Sequence, residues 1–308
     1  MRFLRIGLGL LIVLLLIYIG GVENTLKALS SFDAALITPI VLLLALVLAL
    51  TFINLKILFD AKCRMDSGKF FLDFLASWAI GFMLPGKVGD FSLAYFLRGK
   101  IRVGESTAII LLDKVIGIAA LSIFGSLAFM LFPEQGTSYT AFALVLLAWL
   151  AGGFLFFTSG GRNAIKKIVP QKYTGKFAGF SVALSHFLAK EKKRIALNFL
   201  LSIVRLVLQA WILVSIFSGI GISAGVWEIT LVLAATTLLS FIPLTTSGIG
   251  IREGAFAFFA LQLGIPVAAS VSASLISGFF NYLLVIIIAV ALFDRTMQII
   301  GFKPEKIQ

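Results

Sequence analysis

A single cysteine (Cys63), a single histidine (His186) and a charged fraction of 13% leave this chain with few of the side chains from which enzymes assemble their sites. One cysteine allows no internal disulfide and no cysteine-based metal cluster. One histidine removes most metal-ligand and acid–base templates, so no metal and no other cofactor is expected and no catalytic residue is assigned. Acidic residues are the scarcer charges, 14 against 26 Lys and Arg. Serine and threonine recur at Thr245, Thr246, Ser247, Ser270, Ser272, Ser274 and Ser277. No base is spaced to activate any of them, so a serine nucleophile is not expected.

What the chain has in abundance is apolar surface. Hydrophobic residues make up 60% of it, which excludes an ordinary soluble domain. A spanning helix needs roughly 20 apolar residues at about 1.5 Å of rise each. Six stretches meet that length: about 3–21, 36–59, 105–132, 139–158, 195–218 and 267–292. Little sequence is left for a soluble catalytic domain, and the protein is expected not to be an enzyme. Arg2 and Arg5 ahead of the run Ile6 to Ile19 imitate a signal peptide. Gly20-Gly21-Val22-Glu23 offers no clean small-x-small cleavage site, so an uncleaved first helix is expected.

The net charge of +12 would suggest nucleic acid in a soluble protein, but here its placement decides. Lys27 lies in an outer segment, and Lys56, Lys87, Lys114, Arg205 and Arg252 fall within apolar segments. The remaining Lys and Arg sit in connections that this topology puts on one side, the cytoplasmic one. Anionic lipid headgroups are the partner such basic loops suit, and nucleic acid is not expected. Residues 159–194 form the longest of these loops. In it Phe177, Phe180, Leu184, Phe187 and Leu188 recur at helical spacing, which predicts an amphipathic helix on the inner leaflet with His186 near its solvated side.

Two stretches break the apolar pattern. Met83-Leu84-Pro85-Gly86-Lys87-Val88-Gly89-Asp90 is one, and Ile242-Pro243-Leu244-Thr245-Thr246-Ser247-Gly248-Ile249-Gly250-Ile251-Arg252-Glu253-Gly254 is the other. Each follows a long apolar arm and precedes a short one. The arm 88–97 has about ten residues and reaches only about 15 Å, half the hydrocarbon thickness. Arg98, Lys100 and Arg102 then return the chain to the side it came from. These are the marks of re-entrant hairpins, expected over 70–97 and 227–264. The expected fold is an all-α integral membrane protein with six transmembrane helices plus two re-entrant helical hairpins. Residues 36–132 and 195–292 are then inverted repeats within one transmembrane domain, and both termini are cytoplasmic.

The turns carry the expected chemistry. Pro85 and Pro243 stop the incoming arms. Gly86, Gly89, Gly248, Gly250 and Gly254, with Ser247, permit tight backbone there. Each short arm would present its N-terminal N–H groups and dipole toward an anion, with Lys87 and Arg252 adding full charge. The alternative is that the turns only pack, with Lys87–Asp90 and Arg252–Glu253 as local partners. Adjacent residues point apart on a helix, so Arg252 and Glu253 are not expected to serve one another. Lys114 and Arg205 extend the cationic set. Asp113 orients them or exchanges a proton; otherwise it pairs with neighbours of Lys114 or with Arg205 and pins helices together. Lys56 is expected to snorkel to the surface.

Leu84 to Asp90, Tyr95 to Lys100 and Thr246 to Gly254 resemble the lysylphosphatidylglycerol synthase/flippase transmembrane family over nearly the whole chain. The resemblance implies a lipid-translocating membrane domain, in some members fused to an aminoacyl-transferring or glycosyltransferase domain. No such domain is recognised in these residues, so synthase activity is not carried over. Lys87 stands where that family usually has arginine, Asp90 where it has glutamate, and Gly117 where a further acid would be expected.

The function expected is binding and translocation of an anionic lipid, a phospholipid or a polyprenyl-phosphate-linked carrier, across the cytoplasmic membrane. Lys87, Asp90, Lys114, Arg205, Arg252 and Glu253 are the candidate ligand-binding residues. Transport of a small water-soluble anion is one alternative. A non-transporting partnership with an envelope-glycan or lipid-modifying enzyme is another, and a homo-oligomer is compatible with all three.

Overall fold

The computed structural model describes residues 2–83, 89–131, 147, 160, 180–240 and 250–295. Among the described residues the regular structure is entirely helical. In chain order these are α1 (Arg2–Gly20), α2 (Val22–Ser30), α3 (Ile37–Phe59), α4 (Ser67–Met83), α5 (Ser92–Phe96), α6 (Val103–Leu131), α7 (Phe180–Lys190), α8 (Lys192–Gly219), α9 (Val226–Leu239), α10 (Ile251–Gln262) and α11 (Val267–Ala291). Short 3₁₀ turns precede α3 at Ala34–Leu36 and follow α5 at Leu97–Gly99.

The long helices follow the apolar runs closely. α3, α6, α8 and α11 have 23, 29, 28 and 25 residues. At about 1.5 Å per residue each exceeds the roughly 30 Å hydrocarbon layer. These four are long and apolar enough to cross a membrane. α1 and α2 meet that standard together, as an apolar pair bent by 89° at Gly21. The expected outer segment after the first helix is thus largely helical, closed by the Glu23–Lys27 pair at 2.7 Å. The expected span 139–158 lies outside the described residues except for Leu147.

Much apolar surface faces outward. Leu14 and Tyr18 on α1, Leu42 on α3 and Phe279, Ile286 and Val290 on α11 are exposed. Exposed large apolar side chains in this number are unusual on a water-soluble protein, and lipid is the solvent that suits them.

The chain divides into two compact units. One comprises Met1–Thr51, Gly117–Leu146 and Phe199–Tyr282. Its core draws Ile40, Phe217, Val232, Phe256, Phe259 and Ala273 together from α3, α8, α9, α10 and α11. α9 and α10, the arms of the second expected hairpin, pack on one another here. Phe217 stacks on Phe256 at 6.1 Å, tying α8 to the return arm.

The other unit comprises Phe52–Ile116, Leu147–Asn198 and Leu283–Gln308. Phe52, Phe59, Phe70 and Phe74 make an aromatic knot between α3 and α4, with centroid distances of 5.3–5.8 Å. α4 and α5, the arms of the first expected hairpin, pack on one another in this unit. In α7 Leu184 and Phe187 are buried while Ser185, Ala189 and Lys190 are exposed, the amphipathic pattern expected of that stretch. His186 is half-buried, 4.0 Å from Glu191. Phe177 lies outside the described residues.

Candidate functional site

Ser77 fixes the first hairpin. This buried residue of α4 donates its hydroxyl to the Asp90 carbonyl at 2.9 Å. The same oxygen accepts from the Leu93 N–H at 3.1 Å and from the Ser92 hydroxyl at 3.0 Å. One side chain thereby satisfies backbone groups that a short arm could not satisfy within itself. Glycine makes the approach possible. A Cβ on Gly89 would lie 2.7 Å from the Gly81 nitrogen and 2.6 Å from the Ile80 carbonyl carbon. A Cβ on Gly81 would collide with the Asp90 carboxylate. The return arm is therefore pressed onto α4, and Asp90 is held at a fixed place on it.

Asp90 is paired with Lys114 of α6. The local alternative had given Asp90 to Lys87, but Pro85, Gly86 and Lys87 lie outside the described residues. The expectation that this arm offers a helix N-terminus to an anion needs correction. α5 has five residues, and its Leu93 N–H is already taken by Ser77. A single helical turn carries little dipole, and a donor in use attracts no ligand.

Asp113, adjacent to Lys114, has a different setting. Its carboxylate is 3% exposed and accepts from Asn198 Nδ2 at 2.9 Å. That amide also donates to the Asn54 carbonyl at 3.0 Å, so α3, α6 and α8 are joined at one buried polar point. The expected partners had been neighbours of Lys114 or Arg205; the neutral amide is the partner instead. Consecutive residues of a helix point about 100° apart, so Asp113 faces the buried side that Lys114 leaves. Asn54 and Asn198 were not singled out from sequence. The signal was present, since polar side chains inside spanning helices are costly and face protein partners.

Arg205 of α8 is half-buried in an apolar helix. Its Nη1 donates to Thr51 Oγ1 at 3.4 Å, and its Nη2 lies 3.5 Å from where a Gly117 Cβ would stand. Among the described residues Arg205 makes no ion pair. The missing acid at position 117 and a guanidinium with no ion pair among the described residues are thus neighbours.

The second turn is described from Gly250 onward; Pro243, Ser247 and Gly248 lie outside the described residues. Gly250 has φ of 83°, a left-handed conformation that glycine adopts without steric cost, and α10 starts at the next residue. Glu253 Oε2 accepts from the Gly250 N–H at 2.6 Å, and its Oε1 accepts from Arg252 Nη2 at 2.9 Å. The expectation that Arg252 and Glu253 cannot serve one another is corrected here. Glu253 folds back over the helix start to cap it, as the third residue of a helix commonly does. That brings its carboxylate beside Arg252, whose long side chain bends to meet it. The N-terminus expected to be free for a ligand already carries an anion of its own. Gly254 lies behind it, 3.8 Å from the Leu16 side chain by its Cβ direction.

Both return arms therefore begin with the same device: a carboxylate one or a few residues after a glycine, holding a cation. Lys56, expected to snorkel, pairs with Asp60 at 2.5 Å near the end of α3.

The model of the lysylphosphatidylglycerol synthase TM region matches residues 3–289. The chain belongs to that family. No curated protein and no solved structure matches it. As a member of the lysylphosphatidylglycerol synthase TM region family with several apolar spanning helices, it is a multi-pass membrane protein with a lipid-related function. The Asp90–Lys114 and Arg252–Glu253 pairs are the charged contacts at the starts of the two short arms in this chain.

Proposed function

We propose that the protein binds an anionic lipid and moves it across the cytoplasmic membrane, without catalysing a chemical step. In this reading six spans and two re-entrant hairpins form inverted repeats, with both ends in the cytoplasm. The observation that carries the reading is Arg205, a cation within an apolar helix whose described partner is a threonine hydroxyl. A charge at the bilayer centre costs about 2.5–3.5 kcal/mol on insertion scales. A lipid phosphate would supply the missing counter-charge.

Transfer then proceeds by exchange of partners. Asp90 and Glu253 hold Lys114 and Arg252 while no lipid is bound. An arriving lipid phosphate, whose non-bridging oxygens offer the same charge-assisted contact, competes for the cation and releases the acid. Lys87 and Arg205 add charge to the path, and Asp113 holds α6 in register beneath Lys114. Because Lys114 and Arg252 regain Asp90 and Glu253 when the lipid leaves, those two cations are not left bare in oil.

The test is scrambling of fluorescent lipids with anionic and zwitterionic headgroups in reconstituted vesicles. Wild type is compared with Lys87→Ala and Arg252→Ala. The reading expects faster movement of the anionic lipid by wild type and a clear loss in both variants. Equal rates for all three proteins would contradict it.

A further inference from the structure

At the end of the first hairpin away from its turn, α4 and the segment after α5 enclose a cavity of about 340 Å³. That volume falls within the range of small-molecule sites. Its apolar wall is made by Met65, Phe70 and Leu97, all buried. Lys69 and Lys100 stand at it as exposed cations, and neither makes an ion pair among the described residues. The carboxylate in the lining, Asp73, is engaged by Arg295. Asp73 also feels the charge of Lys100, so one acid stands against three cations and the cavity keeps an excess of positive charge over an apolar floor. None of these residues belongs to the turns or to the pairs described above.

Gly99 forms part of the wall, and a Cβ placed on it would meet nothing within 4 Å. Gly99 is exposed, so a larger side chain at that point of the lining is accommodated without displacing its neighbours.

We propose that this cavity binds a phosphate group through Lys69 and Lys100, as a site separate from the one that moves the cargo. The chemistry fits the phosphate of an anionic lipid, whose glycerol and first methylenes would lie on Phe70 and Leu97, and it also fits a free phosphate. Lysine holds phosphate as a point charge and tolerates either source.

Two arms separate the sources. The purified protein is placed in nanodiscs of phosphatidylcholine with or without phosphatidylglycerol, and retained lipid is counted by native mass spectrometry. In detergent it is titrated with inorganic phosphate while Tm is followed. Both arms compare wild type with the double variant Lys69→Ala/Lys100→Ala and with Gly99→Leu. A lipid site is expected to hold phosphatidylglycerol in wild type and to lose it in both variants, weaker by roughly tenfold or more without the lysines. A free-phosphate site would instead raise Tm with phosphate in wild type and in neither variant. Wild type and both variants behaving alike in both arms overturns the proposal. So does loss in the lysine variant with full retention in Gly99→Leu, because the charges then act as surface attraction and not through the cavity.

Discussion

Replacing Glu253 by glutamine isolates the exchange of partners on which the proposed cycle turns. Glu253 does two things: one oxygen caps Gly250 and the other holds Arg252. Glutamine keeps the cap, since a side-chain amide oxygen serves at that helix position as well as a carboxylate does. What it removes is the negative charge. Two unit charges about 4 Å apart interact by about 4 kcal/mol at an effective dielectric near 20. The Arg252 side chain is 52% exposed, so solvent and salt remove most of that. A net gain of about 1–2 kcal/mol for an incoming phosphate remains, or roughly tenfold tighter binding. The assay is competition by anionic lipid for a fluorescent analogue, with Tm measured in parallel. Glu253→Gln should bind tighter and melt within a few degrees of wild type, and its release of lipid should slow. Unchanged or weaker binding at unchanged Tm would refute the idea that Glu253 stands in for the ligand.

Two further outcomes follow from the geometry. Ser77→Ala strands the Leu93 N–H and the Asp90 carbonyl in a buried place. At about 1–3 kcal/mol for each of the two unsatisfied groups, thermal unfolding in detergent should show a loss of about 2–6 kcal/mol. Gly117→Asp places a carboxylate beside Arg205 where a Cβ fits at ordinary contact distance. That variant should fold as well as wild type, judged by Tm, while anionic lipid scrambling falls roughly tenfold as the guanidinium gains a permanent partner.

The four long apolar helices α3, α6, α8 and α11 were legible in the sequence for a plain reason. A run of 23 apolar residues such as α3 has no other stable form in lipid, and its ends are marked where the apolar character stops. The packing of α4 on α5 and of α9 on α10 was legible because glycine, proline and charge interrupt such a run at few places. The partners within the site were not. α6 is apolar around its whole circumference, so periodicity does not say which face meets which neighbour. Asp113 meets Asn198 across 85 residues of chain, and no local rule connects them. Ser77 was not singled out from the sequence, because its role depends on the segment from Gly89 folding back onto α4. The Arg252–Glu253 contact was misjudged by applying mid-helix geometry to a helix start, where the third residue turns back.

The central claim is that an uncompensated cation in an apolar helix holds the headgroup of an anionic lipid. It is tested most directly by the ratio of anionic to zwitterionic scrambling rates in wild type, Arg205→Lys and Arg205→Gln, reconstituted at matched protein content. The account predicts a preference for the anionic lipid in wild type, partly kept by lysine and abolished by glutamine. An identical ratio in wild type and Arg205→Gln would contradict it.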